Sequence, residues 1–225
     1  LAERYAPFSG ILAGFILPKL FTENCARYVA AIRSISRTAS YFYMPVLESA
    51  SMIPLETRHA ALAEVRDRLA EVSDTILNIR VGGNDLSHAF GLRRPVDRTI
   101  YDLGPVAAIL TDIVTAFGTE YVVSGPVWEY YAGPGWEEGL RRELELDLLN
   151  GFTGKTVIHP SQIPVVNELL RVSSRDYADA RSILNWDKDG LVAASRDGER
   201  MNEYNTHYNW ARRIVLRAER YGTKP

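Results

Sequence analysis

The sequence predicts an α/β fold in which helices cover a parallel sheet. Three observations carry that expectation. Short apolar runs alternate with longer amphipathic segments along the 225 residues, and this alternation forces parallel strands joined by crossover helices. Gly10–Pro18 (Gly-Ile-Leu-Ala-Gly-Phe-Ile-Leu-Pro) is apolar on both faces, as a buried parallel strand is. Two strand-like runs, Tyr43-Met-Pro-Val-Leu-Glu48 and Ile79-Arg-Val-Gly-Gly-Asn-Asp85, each end in a carboxylate. On neighbouring parallel strands those acids emerge at one edge.

The elements follow in order. After the first strand, Thr22 can cap a helix to about Arg37, with Glu23 in its first turn. Tyr41–Leu47 is the second strand. Pro54 opens a long helix through about Val72. Thr75–Val81 is a strand that Gly82-Gly83 breaks. Gly104-Pro105 starts a helix to Phe117. Glu120–Val123 is the fourth strand, followed by the aromatic loop Ser124–Trp136. A helix over about Glu137–Asn150 leads to the fifth strand, Lys155–His159, which Pro160 ends. Two further helical segments and a basic one, about Asn209–Tyr221, complete the chain. The polar, glycine-containing stretch Trp186–Arg200 reads as a mobile loop before that last helix.

Composition excludes several functions. Lys and Arg number 26 against 28 Asp and Glu, for a net charge of −2. No basic excess points to nucleic acid, and no polybasic run points to anionic lipid. No stretch approaches ~18 uninterrupted apolar residues, so no membrane span is expected. One cysteine, Cys25, rules out a disulfide within the chain and fits a reducing cytoplasm. Its helical setting favours a small buried residue over a nucleophile. The N-terminus has no starting Met and no signal-peptide pattern.

The two strand-end acids, Glu48 and Asp85, are the candidate chemistry. A hard cation such as Mg²⁺ takes oxygen ligands and commonly one or two protein carboxylates, and adjacent strands lie ~4.8 Å apart. Gly82 and Gly83 permit a sharp turn and close backbone approach to a ligand. Asp85 can equally cap a helix that starts at Leu86. Glu56, at a helix start, is a weaker rival to Glu48. Lys19 ends an apolar strand at the same rim. It can neutralise a carboxylate or an enolate, or form a structural ion pair with Glu48. His59, His88 and His207 have no zinc spacing, and Ser161 lacks a nucleophile-elbow frame. His159 reads as a packed, hydrogen-bonded residue near the site. Trp128, Tyr130, Tyr131 and Trp136 can stack on a flat ligand or pack against a neighbour.

These motifs resemble those of the citrate lyase beta-subunit and malyl-CoA lyase superfamily, to which related 2-oxo-acid aldolases also belong. Gly151-Phe-Thr-Gly-Lys-Thr-Val-Ile-His-Pro-Ser-Gln-Ile163 resembles the family's last barrel strand. Phe15-Ile-Leu-Pro-Lys19 resembles its "LPK" strand, Pro45-Val-Leu-Glu-Ser49 its "IET" strand, and Gly82-Gly-Asn-Asp-Leu86 its "G-x-x-D-L/F" turn. Gly198-Glu-Arg-Met-Asn-Glu203, with Ala211-Arg-Arg-Ile-Val behind it, resembles the C-terminal lid and closing helix. The matches fall in family order over almost the whole chain.

The resemblance implies a TIM (β/α)8 barrel, of which this chain supplies about the last five strands. Residues 1–186 form a partial barrel whose N-terminal strands are absent, and 187–225 a lid loop and C-terminal helix. It implies a Mg²⁺-dependent carbon–carbon lyase, in which retro-aldol or retro-Claisen cleavage passes through a metal-bound enolate. The substrate is a hydroxyacyl-CoA or a small 2-oxo or hydroxy acid. Glu48 and Asp85 are the metal ligands. Glu203, matching the family's lid acid, is a general acid or base that reaches a neighbouring subunit, or else a solvated loop acid. Trimers or larger homo-oligomers are expected. The chain departs from the pattern at Val123-Ser-Gly-Pro-Val-Trp128, where the family carries an acidic strand end, and at Asn202 and Glu203, where Ile and Asp are usual. A CoA-independent aldolase and a non-catalytic accessory barrel are the alternatives.

Overall fold

A computed structural model of the chain describes residues 10–186, 192–195 and 197–225. It divides into two compact units, Leu1–Gln162 and Ile163–Pro225.

The first unit is built on five strands: β1 Gly14–Leu17, β2 Phe42–Leu47, β3 Ile79–Val81, β4 Val123–Gly125 and β5 Gly154–Lys155. They lie in chain order, and every neighbouring pair is parallel. Sequential order with a helix in each crossover is the arrangement of a barrel wall. The helices are α1 Thr22–Ile35, α2 Leu55–Ala70, α3 Gly83–Ala89, α4 Gly104–Phe117 and α5 Trp136–Leu149.

The core lies between the sheet and these helices. Tyr43, Leu47, Ile79 and Val81 project from alternate strand positions onto Val29 and Ile32 of α1, Leu62, Val65 and Leu69 of α2, and Ile109, Ile113 and Phe117 of α4. The buried positions of α4 recur at three- and four-residue spacing, which makes one apolar stripe. Pro105 in its first turn lacks only an N–H that would have had no helical partner. On the opposite face of the sheet, Ile16 and Phe42 are half exposed.

The strands are shorter than the sequence suggests, and each shortening has a cause. β1 begins at Gly14, because Gly14 is the first residue to pair with β2, opposite Phe42. Thr75 is not in β3; it closes a 3₁₀ turn, its hydroxyl donating to the Val72 carbonyl (2.8 Å). A bulge then precedes β3: Tyr43 pairs with Ile76, but Val46 pairs with Arg80, so β3 carries one extra residue. Pro45 lies within that interval and has no N–H to give to the ladder, so the bulge falls where a regular ladder would lack a bond. β4 shifts to Val123–Gly125 because its partners are Ile79, Arg80, Gly154 and Lys155. β5 stops at Lys155: the Ile158 N–H instead donates to the Gln162 side chain (2.9 Å), and His159 lies in a turn.

Helix starts agree within a residue or two at α1, α2, α4 and α5. At α1, Phe21 precedes the first turn and its N–H donates to Asn24 Oδ1 (3.1 Å), so Thr22 is the first helical residue rather than the cap. Gly82 is the residue before α3, which places Asp85 inside the first turn; Asp85 is not an N-cap.

The second unit contains α6 Gln162–Leu169 from its second residue on, β6 Val172–Ser173, α7 Ser174–Leu184, β7 Val192–Ala194, β8 Met201–Glu203, α8 Tyr204–Tyr221 and β9 Thr223–Lys224. Val172, Ala180, Ile183, Ala211, Ile214 and Ala218 form its small core. β6 and β9 are parallel, and β7 and β8 form an antiparallel pair. The stretch Trp186–Arg200, read as a loop, therefore contains a strand; residues 187–191 and 196 lie outside the described ones. Arg200 pins this hairpin to α7 through Asp176 (2.9 Å) and Asp179 (2.5 Å). The closing helix starts at Tyr204, five residues before the sequence reading. No described helix is long and apolar enough to cross a membrane.

Candidate active site

Because all five strands of the first unit are parallel, the residues that follow them share one edge. Lys19 follows β1, Glu48 follows β2, and Asp85 sits in the α3 turn after β3. Lys19 joins both acids. Its backbone N–H donates to Glu48 Oε1 at 3.1 Å, and its ammonium Nζ donates to Asp85 Oδ1 at 2.9 Å. Of the two readings of Lys19, the ion pair exists, but its partner is Asp85; Glu48 takes the backbone instead. The hydrogen bond from Nζ to Asp85, with the two nearby acid charges, holds the Lys19 pKa above its ordinary value. The side chains of Lys19 and Asp85 are 68% and 45% exposed, so this edge is open to a ligand.

Gly82 matters because the Glu48 side chain packs on its bare backbone. A Cβ at Gly82 would lie 2.3 Å from Glu48 Oε2. Gly83 is buried; a Cβ there would meet Ile100 Cδ1 at 2.5 Å and Pro126 Cβ at 2.6 Å. Gly82 thus touches a candidate ligand, whereas Gly83 lets α3 pack.

The donor set suits a hard cation. Two carboxylates at one open edge are what Mg²⁺ commonly takes from a protein, the remaining positions going to water and substrate. Among the described residues, no group of three or more His, Cys, Asp or Glu gathers into a fuller cage. Mg²⁺ therefore fits, whereas Zn²⁺, which takes three or four protein ligands, does not.

The other candidates resolve as follows. Glu56 lies in the first turn of α2 rather than directly after a strand. His159 Nδ1 is 2.9 Å from Ser161 Oγ, and its ring stacks on Tyr131 at 4.5 Å. Trp128 is fully buried; its Nε1 donates to the Trp136 carbonyl (2.9 Å), and the Arg94 guanidinium lies 5.1 Å over its ring. The aromatic loop is thus a packed structure around Trp128. A cleft of about 370 Å³ separates it from α3, lined by Asn84, His88, Arg93 and Glu129 among others. Cys25 is buried, and burial pushes its thiol up to about 11. Glu203 ends β8 in the second unit, half-buried, and its N–H donates to His207 Nδ1 (3.0 Å).

A buried charge network escaped the sequence reading. Lys155, at the end of β5, donates to Glu143 (2.8 Å) and Asp147 (2.7 Å) of α5, and all three side chains are fully buried. Arg94 pairs with Glu143 at 2.8 Å, and the Tyr101 hydroxyl donates to Asp147 at 2.6 Å. Burial alone would lower the Lys155 pKa, but the two carboxylates outweigh it and hold it up. Burial raises the pKa of Asp147 against the pull of Lys155. The available signal was Glu143 and Asp147 four residues apart on a helix, interrupting its apolar stripe.

A model of the C-C_Bond_Lyase family, of the TIM-barrel fold, matches residues 1–223. The chain belongs to this family. A (3S)-malyl-CoA thioesterase of Cereibacter sphaeroides is 32% identical over 143 residues, 62% of this chain and 47% of the relative. The chain thus spans about half the length of the curated relatives it matches. Among solved structures, CitE from Mycobacterium tuberculosis, in complex with magnesium, acetoacetate and coenzyme A, aligns with a TM-score of 0.64 at 22% identity. That alignment covers 97% of this chain and 73% of CitE. A citrate lyase from Burkholderia xenovorans aligns with a TM-score of 0.66 at 17% identity, covering 94% of this chain and 65% of that one. At these identities the structural likenesses concern the fold: the five parallel strands of this C-C_Bond_Lyase member correspond to the wall of a citrate-lyase-like barrel.

Proposed function

We propose that this chain carries the metal-binding edge of a Mg²⁺-dependent carbon–carbon lyase acting on a hydroxyacyl-CoA or a small 2-oxo or hydroxy acid. The observation that supports this most is the meeting of Glu48 and Asp85 on Lys19. Cleaving a carbon–carbon bond beside a carbonyl leaves an enolate, and the barrier falls when positive charge waits where that oxyanion forms. Glu48 and Asp85 would hold Mg²⁺, which supplies Lewis-acid polarisation of a substrate oxygen. Glu48 is pre-set for this role by the Lys19 N–H and by packing on Gly82. The Lys19 ammonium, at the same open edge, adds a second positive charge for a substrate carboxylate or the enolate. Glu203 would serve as general acid or base, given to the site of a neighbouring copy in a homo-oligomer of three or more chains.

The relatives named malyl-CoA thioesterases motivate a second reading, hydrolysis of the thioester at the same metal-binding edge. The products separate the two. With malyl-CoA and Mg²⁺, carbon–carbon cleavage releases acetyl-CoA and glyoxylate, whereas hydrolysis releases malate and free CoA. Glyoxylate trapped as its phenylhydrazone supports the lyase; free thiol without glyoxylate supports the thioesterase. Cleavage of a free oxo-acid with no stabilisation by CoA would favour the CoA-independent aldolase. Saturable Mg²⁺ binding with no turnover of an acyl-CoA and oxo-acid panel would favour the accessory barrel. For each of the three enzymatic readings, Asp85→Asn is expected to lower activity at least about a hundredfold, the scale of losing an electrostatic contact at the reacting centre.

A further inference from the structure

Lys19 has a backbone φ of +50°, a left-handed conformation uncommon for residues with a side chain. Three bonds hold it there. Its N–H reaches Glu48, its carbonyl accepts from Asn24 Nδ2 at 2.9 Å, and its ammonium reaches Asp85. The two acids are therefore engaged differently. Glu48 is bound by a main-chain group that no side-chain motion can withdraw. Asp85 is bound by a flexible, solvent-exposed ammonium, and an exposed pair of this kind is weakly held.

We propose that the Lys19 ammonium is a displaceable counter-ion that competes with the divalent cation for Asp85. It neutralises that carboxylate in the apo protein and gives it up when the ion binds, while the Glu48 half of the site stays fixed. This inference rests on the metal reading above. Its consequence is that wild-type metal affinity is reduced by the pair that must first be broken, together with repulsion between the ammonium and the ion.

Titration calorimetry with Mn²⁺ in place of Mg²⁺ tests this on the wild type and on Lys19→Gln, Lys19→Asn, Lys19→Arg and Asp85→Asn. Gln keeps the side-chain length without the charge. Asn tolerates left-handed backbone, which guards against a folding failure. Both neutral variants are expected to bind Mn²⁺ about two- to fivefold more tightly, the scale of an exposed ion pair. Lys19→Arg should stay near the wild type, and Asp85→Asn should lose the site. Unchanged or weaker binding in both neutral variants, with wild-type binding intact, would overturn the inference and leave the metal reading standing. No saturable Mn²⁺ uptake by the wild type would overturn both.

Discussion

At the scale of single residues, the structure separates two kinds of charge. Lys19 and Asp85 are exposed and pair at an open edge, whereas Lys155, Glu143 and Asp147 are sealed in the interior. A buried ion set is destabilised strongly when one partner is removed, because the others keep an uncompensated charge. Lys155→Met takes the ammonium from buried Asp147 and leaves Glu143 to Arg94, and is expected to lower unfolding free energy by about 3–5 kcal/mol in a denaturant titration. A loss under about 1 kcal/mol would mean that the network is not held together by its charges. Its pH dependence has a definite sign. The folded Lys155 pKa lies above the ordinary 10.5, so its stabilisation is complete below that value and is lost as pH rises through the folded pKa. The stability gap between wild type and Lys155→Met should therefore narrow above about pH 10.5.

At the scale of elements, helix ends were easier to read than strand ends. α4 starts at Gly104 and ends at Phe117, as its proline, glycine and apolar stripe predict. Its register rests on local rules, which a sequence carries directly. Strand limits depend on the neighbour. β3 loses four residues to a turn and to a bulge opposite Pro45, and nothing within Thr75–Val81 alone announces that. The convergence of Lys19, Glu48 and Asp85 was legible because each lies in the turn that follows a strand, and parallel strands share their edges. The partner of Lys19 was not legible, since the choice between Glu48 and Asp85 depends on the backbone turn at Lys19. The strand-to-helix turn after β3 makes a direct test. Gly82→Ala drives a methyl into the Glu48 carboxylate, and Mn²⁺ affinity is expected to fall at least about tenfold, as when a ligand's support is lost. The circular dichroism spectrum should be unchanged. In the core, Ile113→Ala opens a cavity under the sheet and should cost about 2–5 kcal/mol with no change in metal affinity.

At the scale of the whole molecule, the family membership and the five-stranded parallel wall give one account of where chemistry belongs. Barrel enzymes place it at the C-terminal ends of their strands, and the three candidate residues stand there. The buried network under β5 and the Trp128 cluster sit beside that edge as scaffold. If the protein uses a thioester, coenzyme A should raise its thermal midpoint with saturable concentration dependence. No shift at millimolar coenzyme A would favour a free acid as substrate. The expectation that Glu203 serves a neighbouring copy predicts a mass of three or more chains by light scattering. It also predicts partial recovery of activity when Glu203→Gln and Asp85→Asn proteins are mixed, because hybrid assemblies regain one complete site.

The central claim is that Glu48 and Asp85 share one divalent ion. A crystal of the protein grown with Mn²⁺ and measured at the manganese absorption edge addresses it most directly. The account predicts one anomalous peak directly coordinated by a carboxylate oxygen of each residue, and the Lys19 ammonium moved off Asp85. A peak elsewhere, or one bound by only one of these acids, would contradict it.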